Sequence, residues 1–162
     1  MSSSAFYEIA INLINAETKR LDSFCSALDK NTDEKKKQIV EYKRAKYRYA
    51  GATKVWCMFL HCHRLKDRNK NSHYLIPQVD EIFLCNPTNV AIYNNALDAE
   101  KCDYGLYFGV TAFADAEIAK LEEKLPHAAD WEKIELEERI GGLRFAKACL
   151  GEAWQKRKEA NK

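Results

Sequence analysis

The chain has 162 residues, 46% of them hydrophobic and 31% charged, with only six glycines and three prolines. That composition excludes a disordered tail and predicts an ordered, helix-rich protein, large enough as a single domain over 1–162 to bury a core without disulfide or metal staples. The formal net charge of +2 hides a segregation: residues 35–70 hold twelve basic and two acidic groups, whereas residues 71–130 hold three and ten.

No stretch approaches the roughly 20 apolar residues of a membrane-spanning helix. The first residues, MSSSAFYEIAINLINAETK, lack a basic leader and are interrupted by Glu8, Asn12 and Asn15, so neither a signal peptide nor a membrane anchor is expected. Six cysteines at 25, 57, 62, 85, 102 and 149 show no C-x-x-C spacing and read as reduced thiols of a cytoplasmic protein.

The first helix is predicted over 4–29, capped by Ser2, Ser3 or Ser4. Phe6, Ile9, Leu13, Ala16, Leu21, Phe24 and Leu28 recur there mostly at spacings of three and four. Asn31 followed by Glu34 then matches a helix-start pattern. A second helix over 32–66 follows, with Tyr42, Ala45, Tyr49, Ala52, Trp56, Phe59 and His63 forming one inward face. At 3.6 residues per turn the opposite side collects Lys36, Lys43, Arg44, Tyr47 and Lys54.

Within that helix, KVWCMFLHCHRLK places Cys57 and His61 four apart on one face, a spacing compatible with two metal ligands. No second ligand pair accompanies them, so small buried thiols and a hydrogen-bonded imidazole are the favoured account. No metal or other cofactor is expected.

Beyond 66 the polar stretch DRNKNSHY reads as a loop, residues 82–85 as a short strand, and 86–98 as a short helix opened by Asn86-Pro87. The alternation in DYGLYFGVT over 103–111 predicts a strand pairing with 82–85. A helix over 112–125 should stop before Pro126. The last helix, over 130–160, carries Trp131, Ile134, Leu136, Ile140, Leu143, Phe145, Leu150 and Trp154, with Gly141-Gly142 in its middle where close packing against another backbone is expected. The fold class is thus mainly α: a single-domain helical bundle of about five helices with a minor two- or three-stranded β element.

Phosphate-cradling and nucleophile-elbow glycine motifs are absent from the sequence, which leans against an enzyme. The positive pointer is the basic helix, about 35–66. Lys36, Lys43, Arg44, Arg48 and Lys54 supply charge for phosphates and Tyr47 a ring for stacking, which predicts a binding protein for a polyanion, with nucleic acid the leading class. The whole-chain pI of about 8.1 lies below that of dedicated nucleic-acid modules. The alternative is a protein–protein module, an inhibitor or adaptor, whose charge-segregated faces dock a partner or a second copy. A metal or thiol site at Cys57 and His61 ranks third.

Overall fold

The computed structural model describes residues 2–66 and 103–160. Five α-helices run in the order α1 (Ser2–Lys30), α2 (Thr32–Lys37), α3 (Ile39–Lys66), α4 (Asp103–Lys124) and α5 (Asp130–Ala160), with a 3-10 turn at Leu125–His127 between the last two. The expected strand at 82–85 and helix at 86–98 lie outside the described residues.

Side-chain contacts fix the helix directions. Phe6 sets its ring edge-on against Phe59 of α3 and Trp154 of α5, each at 5.7 Å, and Tyr107 of α4 stacks on Trp154 at 5.2 Å. At the other end of α1 the Tyr42 hydroxyl donates to Asp29 at 2.8 Å, so α1 and α3 are antiparallel. Lys147 pairs with Asp115 and Arg144 with Glu122, which makes α4 antiparallel to α5. Helices α3 and α5 therefore run parallel. One end of the bundle is marked by Phe6, the other by Asn31.

The main core draws on all four long helices. Phe6, Ala10, Ile14, Val55, Met58, Phe59, Val110, Phe113, Leu143, Leu150 and Ala153 are buried in it. A smaller cluster toward the Asn31 end, Leu21, Cys25, Leu28, Tyr42 and Ala45, comes from α1 and α3 alone. In α1 the buried stripe is Phe6, Ala10, Ile14, Leu21, Cys25 and Leu28, while Ala16, expected inward, is exposed.

The tightest junction lies between α3 and α5. A Cβ added at Gly142 would come within 3.0 Å of the Arg48 carbonyl and 2.8 Å from the Ala52 nitrogen; one added at Gly51 would meet the Arg139 carbonyl and sit 3.1 Å from the Leu143 nitrogen. Two backbones touch directly, which only glycine permits. The expectation of close packing at Gly141-Gly142 holds for Gly142, and its partner is Gly51.

Two expectations fail. Residues 104–111 form the first turns of α4 and not a strand. Their period-two alternation is real, but Tyr107, Val110, Ala114, Ile118 and Leu121 also recur at three and four, and that stripe packs in the main core. No strand occurs among the described residues. The predicted helix over 32–66 also breaks at Gln38, whose φ of −111° and ψ of 30° separate α2 from α3. The break is a kink more than a gap, because Gln38 N–H still donates to the Glu34 carbonyl and Tyr42 N–H to the Gln38 carbonyl. As predicted, Asn31 caps α2, its side chain accepting from Glu34 N–H at 3.2 Å, although the Glu34 carboxylate takes a hydrogen bond from Gln38 and does not complete the box.

The two kinds of glycine environment yield opposite expectations. Gly142→Ala forces two helices apart and should destabilise by roughly 2–3 kcal/mol in urea unfolding. Gly151→Ala, where an added Cβ meets nothing within 4 Å, should stabilise by about 0.5–1 kcal/mol through helix propensity.

Candidate nucleic-acid interface

The Lys-rich segment 32–37 is helical because Asn31 satisfies a free N–H at its start, and Asp33 and Glu34 occupy the positive end of the helix dipole. Its three lysines then diverge in role. Lys35 pairs with Asp29 at 3.0 Å and sits 4.4 Å from the Tyr42 ring centroid, which Lys46 approaches to 5.3 Å. The hydrogen bonds from Lys35 and Tyr42 hold the Asp29 carboxyl below its ordinary range. These groups bind the α1–α3 hairpin together. Lys36 and Lys37 are exposed.

The six expected contact residues separate into two sets. Lys36, Lys43 and Arg44 are exposed, and among the described residues none of them forms an ion pair. The others are engaged within the molecule. The face of Tyr47 is occupied by the Arg139 guanidinium at 5.5 Å, which obstructs stacking by a base on that side. Arg48 lies 3.5 Å from the Glu17 carboxylate and 5.6 Å from the Phe145 ring. Lys54 donates at 2.6 Å to Glu117.

Glu117 was not anticipated from sequence, and it is the most deeply placed carboxylate among the described residues, only 5% exposed. Burial alone would raise its pKa, but hydrogen bonds and charge from Lys54 and from Lys120, at 3.1 Å, outweigh that and leave it lowered. Glu17 is likewise lowered, chiefly by its hydrogen bond from Arg20 and then by Arg48. The basic helix thus spends part of its charge on acids of its own chain, one of which lies in the acidic 71–130 region.

The cysteine side chains among the described residues are unreactive thiols. Cys25, Cys57 and Cys149 are free thiols. Burial raises the pKa of each, that of Cys149 to about 11, so all three stay protonated at neutral pH, whereas a ligand or nucleophile must be the thiolate. Among the described residues no group of three or more His, Cys, Asp or Glu is placed to hold a metal. The side chain of His61 lies outside them. An open depression of about 620 Å³ between α4 and α5 is lined by Lys120, Lys124, His127, Glu132, Glu135 and Leu136. Its mixed charge marks no preference for an anion or a cation.

No helix among the described residues is long and apolar enough to cross a membrane. No protein-family model matches the chain, and neither a curated protein nor a solved structure matches it.

The depressed pKa of Glu117 has a defined sign. Its stabilising effect is present above the ordinary carboxyl value of 4.5 and is lost as pH falls through the lowered folded value. Glu117→Gln should therefore flatten the acid limb of the stability–pH curve, measured by urea unfolding between about pH 7 and pH 3. An unchanged limb would assign acid sensitivity to other carboxylates.

Proposed function

We propose that this chain is a non-enzymatic binding protein that uses the Asn31 end of α2 and α3 to engage a polyanion, with nucleic acid as the partner class. The observation that carries it is the exposure of Lys36, Lys43 and Arg44 without ion pairs among the described residues, while the neighbouring cations Lys35, Arg48 and Lys54 are paired. Charges left in water are the ones available to displace counterions from phosphates. Lys43 and Arg44 are neighbours in the first turns of α3, and Lys36 stands in α2 across the break at Gln38. Asp33, Glu34 and Glu41 lie among them and temper the field. A protein–protein module with charge-segregated faces is the second reading, favoured by the exposed Ile39 and Val40 beside those cations.

With three available cations, the slope of log affinity against log salt should be about −2.1 for a single strand to about −2.7 for a duplex, a loss of roughly 20- to 40-fold between about 50 and 200 mM salt. A gel-shift titration against single- and double-stranded DNA and RNA measures it. Lys43→Glu with Arg44→Glu should abolish the shift, whereas Lys54→Ala should leave it near wild type because that amine is bound to Glu117. Absence of any salt-sensitive complex at low salt sinks the proposal.

A further inference from the structure

Three helices bring their side chains together on one oxygen atom. Asp29 is next to last in α1, Lys35 lies within α2, and Tyr42 belongs to the first turn of α3. The Tyr42 hydroxyl donates to Oδ1 of Asp29 at 2.8 Å, and the Lys35 ammonium donates to the same Oδ1 at 3.0 Å. Lys35 Nζ also lies 4.4 Å from the centroid of the Tyr42 ring, and Lys46, one turn further along α3, places its Nζ 5.3 Å from it. The ring itself is buried with Leu21, Cys25, Leu28 and Ala45, which fixes where its hydroxyl points.

A phenolic O–H and an ammonium group aimed at a single point are the donors that an anionic oxygen needs, whether it belongs to a carboxylate or to a phosphate. Here the oxygen in that position is the chain's own. Asp29 is ionised at neutral pH, because the same two donors hold its carboxyl below the ordinary range. Its pairing differs in kind from that of Lys54 with Glu117, where the carboxylate side chain is 6% exposed and the contact is built into the packing of α3 on α4. The Asp29 side chain is 45% exposed among the described residues. Exposed ion pairs of this sort contribute little to stability, about 0–1 kcal/mol, so replacing one oxyanion by another at this place is a small change.

We infer that Lys35 and Tyr42, with Lys46 beside them, form a further phosphate-oxygen site that Asp29 occupies, so that Asp29 is a built-in competitor of the polyanion. The inference rests on the polyanion reading above. While Asp29 is ionised, a phosphate that approaches Lys35 meets a like charge at the point where its own oxygen would bind, and Lys35 releases no counterion. Contact is then limited to Lys36, Lys43 and Arg44. Once the carboxylate charge is removed, Lys35 joins them as a fourth cation, and the fixed Tyr42 hydroxyl supplies a neutral donor beside it. If Asp29 did no more than fasten α1 to α3, removing its charge would loosen the hairpin and free nothing for binding; the salt dependence separates the two roles.

Asp29→Asn removes the charge but keeps an acceptor oxygen for Tyr42, so the full chain should retain its helical circular dichroism. In gel-shift titrations against single- and double-stranded nucleic acid between about 50 and 200 mM salt, this variant should bind more tightly than wild type at the low-salt end. Its slope should be steeper by about 0.7 on a single strand or about 0.9 on a duplex, the increment of one more phosphate contact. Asp22→Asn makes the same change of charge seven residues earlier on the same face of α1, and its slope should match wild type. Asp29→Asn combined with Lys35→Gln should return the slope to the wild-type value, because the freed cation is gone. If wild type binds and Asp29→Asn shares its slope, or if the gain survives Lys35→Gln, the masked site is overturned while the polyanion reading stands. Absence of a salt-sensitive complex with wild type and with Asp29→Asn alike removes both.

Discussion

Direct backbone contact between α3 and α5 at Gly51 and Gly142 organises the rest of the described bundle. In an up-and-down arrangement of four long helices, the two parallel ones lie across a diagonal and ordinarily stand apart, separated by side chains. Here the absence of Cβ atoms lets carbonyls of Arg48 and Arg139 rest against the opposing glycines. The approach draws one diagonal together, and the main core becomes a set of layers below that contact, beginning with Val55 and Leu143 and ending in the aromatic group around Phe6. Close packing of this sort is intolerant of added volume, since the interior has no slack to absorb a methyl group between two peptide planes.

The same contact divides the core. The main core lies chiefly on the Phe6 side of that contact, and the smaller α1–α3 cluster on the other. On the Phe6 side lie small and branched apolar residues; on the Asn31 side the helices meet through polar groups, the Arg139 guanidinium lying 5.5 Å from the Tyr47 ring. The charge segregation of the sequence is thereby divided. Lys54 and Arg48 are used to neutralise Glu117 and Glu17 within the fold, whereas Lys36, Lys43 and Arg44 keep their hydration and their reach.

Helix α2 shows how local chemistry sets the limits of that exposed region. The Asn31 cap and the break at Gln38 set three lysines on a short helix of their own, where Lys35 pairs with Asp29 and lies against Tyr42 while Lys36 and Lys37 stay in water. An unbroken rod would have aligned Lys36 with Lys43 and Lys54 as one stripe. The stripe survives only in its upper half.

Much of this was legible in the residues themselves. Helical periodicity located α1 and α5, the Asn31 cap, the stop at Pro126 and the need for close packing at Gly142, because each depends on neighbours within a few positions in the chain. Three features were not legible, and each depends on residues far apart. Residues 104–111 satisfy both a strand pattern and a helix pattern, and only packing against α5 chooses between them. Trp131 is apolar and stands among the apolar residues of the last helix, yet it is 70% exposed in the first turn of α5. The pairing of Lys54 with Glu117 spans 63 positions, and a sequence records that both are charged without recording that they meet. Periodicity determines which face of each helix is apolar; the distance between helices, set at a single point by two missing methyl groups, decides which of those faces are covered.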